Sequence, residues 1–142
     1  MPEPIDMPTI HAMPDDAPPG TKWTPNGRLV ATNARETDRT SAVCLHLSPL
    51  LAIPIGPIFV LVPLIMWLTM RDRSPFIADH GREQINFMIS FVLLHLILFI
   101  TIVGMLLIPV LWIVGIIGVI RGALAAGYGE YYRYPATIRL IS

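Results

Sequence analysis

Two stretches without a single Asp, Glu, Lys or Arg, Thr40 to Met70 and Gln84 to Ile120, decide most of what this chain can fold into. Apolar runs longer than about 18 residues are candidates to span a membrane. Two such runs leave little of a 142-residue chain for a soluble core. Charged residues make up 14% of the chain, against about 25% in soluble domains. The sequence therefore predicts an integral membrane protein, with the lipid bilayer as its first partner. A formal charge of zero gives no basic field for nucleic acid. Cys44 is the only cysteine, which excludes an internal disulfide and any CxxC metal or redox motif. It reads as a small apolar helix residue.

Residues 1–39 hold seven of the fourteen prolines, from Pro2 to Pro25. Proline removes a backbone donor and disfavours helix before it, and little here could offset the entropy of ordering. This segment is expected to be a disordered or extended tail, with Trp23, Leu29 and Val30 as anchors should a partner order it. Its start has neither the basic region nor the apolar core of a signal peptide.

The expected fold is an all-α membrane domain, residues 40–142, with three transmembrane helices at about 43–69, 84–103 and 107–126. The first contains Pro49, Pro54, Pro57, Pro63 and Gly56. It should be proline-kinked and packed on partners, or broken into two helices near Pro54–Pro57. As one helix the second run would extend roughly 55 Å, so Gly104 and Pro109 are read as the turn of a tight hairpin. An interfacial loop at 71–84 and an interfacial segment at 127–142 complete the domain. With three spans, that loop and the C-terminus share a side richer in arginine than the tail's, which makes them cytoplasmic. Trp67, Phe76, Tyr128, Tyr131, Tyr132 and Tyr134 fall there as an aromatic belt.

"SPFIADHGREQINF", Ser74 to Phe87, carries most of the polar chemistry. Ser74 and Pro75 make a helix start. Asp79, Glu83, Asn86 and Ser90 then recur every three or four residues as one polar stripe, and His80 and Gln84 are neighbours on another face. The stripe is expected to be an interfacial collar, or a face held for a partner helix or wet cavity. A metal site from Asp79, His80 and Glu83 lacks support, since only one His-x-x-Glu is present and a di-iron bundle draws on four helices. His46 and His95 raise a haem reading, but counting from the shared interface puts His95 about 16 Å deep and His46 beyond about 30 Å. His95 is expected to donate to a neighbouring helix. Gly115, Gly118, Gly122 and Ala126 form a small-residue face for close helix packing, within the unit or between subunits. No P-loop, nucleophile elbow or zincin motif occurs.

"HLSPLL", "SPFIADHGREQINFMIS" and "GEYYRYPATIRLI" together resemble a bacterial integral-membrane family of unknown function. That family is distantly similar to the twenty-kilodalton channel subunit of the chloroplast inner-envelope protein translocon. The resemblance implies a compact helical bundle in the bacterial inner membrane. It makes His46, Asp79, His80, Glu83, Asn86, Phe87, Gly129, Tyr132 and Pro135 signature positions. Met88 stands where the family usually has glutamine, and the translocon relatives are described with four spans. The expected function is non-enzymatic and needs no cofactor: an accessory subunit or scaffold acting through helix contacts with other membrane proteins or with itself. The alternatives are a transport or translocation component, with Asp79, Glu83, Asn86 and His95 along a wet path, and a membrane metalloprotein or enzyme.

Overall fold

The structure, a computed structural model, describes residues 19–51 and 61–141. Its elements are β1 (Thr21–Trp23), β2 (Leu29–Ala31), α1 (Glu36–Leu47), a 3-10 turn (Ser48–Leu51), α2 (Val62–Met70), a second 3-10 turn (Arg71–Arg73), α3 (Pro75–Phe99) and α4 (Ile102–Gly127). Helices α3 and α4, of 25 and 26 residues, are the two long and apolar enough to cross a membrane among the described residues.

Helix α3 starts where the sequence places it. Ser74 accepts the Phe76 amide and Pro75 takes the first helical position. Of the two expected starts, Pro75 and Gln84, the structure has the first, so residues 75–84 are the first turns of this helix and not part of an interfacial loop. The hairpin reverses at Ile100 and Thr101, not at 104–108. Thr101 is extended and its hydroxyl accepts the Gly104 amide at 2.9 Å, capping α4. Gly104 serves close packing instead, since a Cβ there would strike the Leu98 carbonyl. Pro109 lies within α4, where the missing amide leaves the carbonyl one turn earlier without its helical donor.

The first apolar run shows no third span among the described residues. Its described parts are α1 and α2, 12 and 9 residues, or roughly 18 and 14 Å. Going along α1, Arg39 lies at Gly129, Val43 at Gly127 and His46 at Gly122, so α1 runs antiparallel to α4. Leu61 and Leu64 share a cleft with Ile89 and Val92, and Trp67 covers Gly81, so α2 runs antiparallel to α3. Glu36 and Met70 therefore lie at the same end of the molecule, the end where α3 begins and α4 finishes. The expected break at Pro54–Pro57 falls outside the described residues.

That shared end is a folded head. Strands β1 and β2 pair antiparallel and dock on the residues after α4. The Ala31 amide donates to the Gly129 carbonyl at 2.9 Å, and the Tyr131 amide to the Leu29 carbonyl at 2.8 Å. Arg28 pairs with Glu130 at 2.6 Å. Part of the expected tail is thus ordered, and its buried anchor is Ala31, not the exposed Trp23. Helix α4 closes with a Schellman arrangement, in which the amides of Gly129 and Glu130 donate to the carbonyls of Ala126 and Ala125. Gly129 has φ +75°, which explains a glycine at this place. Half of the aromatic belt is core: Phe76, Trp67 and Tyr134 are buried, Tyr131 and Tyr132 are half-buried, and Tyr128 is exposed. Beyond the head, Ile97, Ile100, Ile102 and Leu106 leave apolar surface uncovered, the surface a bilayer would cover.

Candidate functional site

The polar stripe on α3 is occupied by the chain's own C-terminal segment. Asp79 receives two hydrogen bonds from Arg133, at 2.6 and 2.7 Å. Glu83, buried, accepts the Tyr134 amide at 2.7 Å and the Arg139 guanidinium at 3.1 Å. Asn86 accepts the amides of Leu140 and Ile141 and donates to the Ile141 carbonyl. Ser90 accepts the Ile138 amide at 2.8 Å while donating to the Asn86 carbonyl one turn back. Residues 133–141 form no helix or strand of their own. Four of their amides and the Ile141 carbonyl bond instead to side chains about one turn apart on α3.

Beneath this strap lies a second set of polar groups, fully enclosed. His46, His80 and Gln84 are inaccessible and Tyr134 is 2% exposed. His80 Nε2 meets the Glu130 carbonyl at 3.1 Å, and His80 Nδ1 meets His46 Nε2 at 2.8 Å. His46 Nδ1 lies 2.8 Å from both the Tyr134 hydroxyl and Gln84 Oε1. The Tyr134 hydroxyl donates to Gln84 Oε1 at 2.5 Å. A carbonyl can only accept, so His80 Nε2 carries a proton. In a neutral pair His80 Nδ1 then accepts from His46 Nε2–H, and His46 Nδ1 is left as an acceptor. One phenolic proton faces two acceptors, whereas Gln84 Nε2 has no partner. Exchanging the two ends of that amide supplies the missing donor. Burial raises the Tyr134 phenol above its ordinary range, which keeps this donor protonated.

The small-residue face makes room for this network. A Cβ on Gly122 would stand 2.8 Å from His46 Nδ1 and 3.0 Å from the Tyr134 hydroxyl, and Gly118 faces the Tyr134 ring. Gly115 accommodates Phe91, and Ala126 is buried against α1. This face works within the chain. Phe87 stacks on Tyr134 at 4.1 Å between ring centroids, and Tyr132 meets Tyr134 edge-on. Pro135 precedes Ala136, whose φ is +56°, and the pair makes the turn between Tyr134, held by Glu83, and Ile138, held by Ser90.

His46 and His80 meet because α1 enters from the head. Depth counted through a crossing first span puts His46 far from α3's polar end, whereas the described α1 sets it 2.8 Å from His80. His95 stands apart. It lies edge-on to Trp112, its Nδ1 unpartnered rather than bonded to a neighbouring helix. Asp79, Glu83, Asn86 and His95 do not converge on one path, since the first three hold the strap. Among the described residues no group of three or more His, Cys, Asp or Glu is placed to hold a metal ion. The strap itself escapes sequence reasoning; its arginines and its spacing from "GREQINF" are the only signal.

Residues 37–141 match the model of a protein family, MamF/MmsF, described as a magnetosome magnetite crystal formation protein family. No curated protein and no solved structure matches the chain. Nothing in these comparisons points to the translocon subunit that the motifs resemble.

Proposed function

The chain belongs to the magnetosome magnetite crystal formation protein family, and on that premise we propose that it is a non-enzymatic component of the membrane in which magnetite crystals form. It works there as an accessory or scaffolding subunit among other membrane proteins. The observation that carries this reading is the extent of the family match, which includes every described helix except the first residue of α1. The side chains support it. Asp79 and Glu83 are tied to arginines, and His46 and His80 are tied to each other. The groups best suited to acid–base work thus hold the fold together.

Arginine placement also supports an orientation. Arg28, Arg35, Arg39, Arg71, Arg73, Arg133 and Arg139 belong to the head, and the turn at Ile100–Thr101 has no charge. The positive-inside rule then puts the head in the cytoplasm and the turn across the membrane.

The test is removal of the gene from its magnetite-forming host, with electron microscopy of the crystals and fractionation of the crystal-bearing membrane. The proposal expects altered crystal number or size, restored by the full chain, and the chain in that fraction. Unchanged crystals, or a chain found only in other membranes, would contradict it.

A further inference from the structure

We propose that the cleft of about 640 Å³ beside the end of α4 binds a phosphate group, supplied by the headgroup of an anionic lipid. Arg28, Arg121 and Arg133 line it with Tyr131 and Tyr132, and Glu130 is its one carboxylate. Leu124 and Ala125 give it an apolar wall continuous with the surface of the spanning helix. The arrangement pairs guanidinium and phenol donors with a place for the start of an acyl chain.

The arginines differ in how far they are already engaged. Arg28 is bound to Glu130 and Arg133 to Asp79. Arg121 has no hydrogen bond or ion pair with any described residue, and its side chain is exposed. It lies six residues before the end of α4, or roughly 9 Å along the axis, where the helix passes from lipid to headgroups. An unpaired cation at that depth snorkels towards the interface, and basic pockets at helix ends bind anionic headgroups. A guanidinium also suits phosphate, since its planar fork makes two parallel bonds. The negative end of the α4 dipole opposes an anion here. The Schellman bonds to the carbonyls of Ala125 and Ala126 reduce that opposition.

Native mass spectrometry of the full chain, released from bilayers of zwitterionic lipid containing a minority of phosphatidylglycerol, reads the site directly. The wild type should retain phosphatidylglycerol in preference to the zwitterionic lipid. Arg121→Gln should retain it about fivefold less, the effect of one arginine near a membrane surface, and Arg121→Lys, which keeps the charge but not the two-bond fork, should fall between the two. Arg71→Gln, at an arginine outside the cleft, should change nothing. Added inorganic phosphate distinguishes the sources. Retention that survives it assigns the site to the lipid. Displacement of the lipid with the same dependence on Arg121 keeps the phosphate site but gives it a soluble occupant, overturning the lipid assignment. Equal retention by wild type and Arg121→Gln, or an equal loss in Arg71→Gln, would overturn the proposal. Both variants alter exposed side chains, and their circular dichroism should match the wild type.

Discussion

Gly118 and Gly122 look equivalent in the sequence, one helical turn apart on one face, yet alanine should be costly at one and nearly neutral at the other. At Gly122 a Cβ would lie 2.8 Å from His46 Nδ1, whereas packed aliphatic carbons keep about 3.5 Å from their neighbours. His46 or α4 must then move by about 0.7 Å. His46 has no free direction, because His80 holds its other nitrogen at 2.8 Å and Tyr134 and Gln84 flank the first. Overpacking of this kind costs about 1–3 kcal/mol, and a loosened buried hydrogen bond adds about 1–3 kcal/mol. The helical preference of alanine over glycine returns about 1 kcal/mol. The net expectation for Gly122→Ala is a loss centred near 3 kcal/mol. At Gly118 the nearest atom is Tyr134 Cε1 at 3.3 Å, which needs only a slight adjustment of the ring. Gly118→Ala should stay within about 1 kcal/mol of the wild type. Unfolding in detergent micelles with increasing dodecyl sulfate, followed by helical circular dichroism, ranks the pair. Equal losses at both positions would mean that a generic requirement for small residues suffices and that the His46 contact sets nothing.

Other outcomes follow from the same contacts. Tyr134→Phe removes a buried donor from between His46 and Gln84 and should destabilise the chain by about 1–3 kcal/mol in the same assay. The raised phenol pKa makes this tyrosine's contribution complete below about pH 10 and lost as pH climbs from there. Tyr134→Phe should therefore show a shallower alkaline loss of stability than the wild type. Asn86→Leu strips three hydrogen bonds from residues 140 and 141. It should leave the helices folded while carboxypeptidase trims the end of the strap faster than in wild type. Ala136→Gly relieves a left-handed backbone at an exposed residue and should gain up to about 1 kcal/mol in midpoint stability.

The sequence carried the local information well and the long-range information poorly. Ser74 and Pro75 announce the start of α3, and the spacing of Asp79, Glu83, Asn86 and Ser90 marks a polar face. The pairing of that face with Arg133, Tyr134 and Arg139 was not legible, because an irregular strap has no period to read. The first apolar run misled for a similar reason. Its length fits a crossing, and nothing local says that α1 and α2 return to the same end. That one difference moved His46 from the far side of the membrane to the level of His80. Gly104 and Pro109 are punctuation by residue type, but the Thr101 cap three residues earlier sets the turn. Gly122 was identifiable as a packing residue, although not as the floor under a histidine.

The polar stripe on α3 holds the C-terminal segment of its own chain, and amide hydrogen exchange of the full chain in micelles tests that contact amide by amide. The amides of Tyr134, Ile138, Leu140 and Ile141 donate to Glu83, Ser90 and Asn86. They should exchange far more slowly than free-chain amides. Uniformly fast exchange from Tyr134 to Ile141 would show that the strap is not bound there, and would return the stripe to a partner or to the membrane interface.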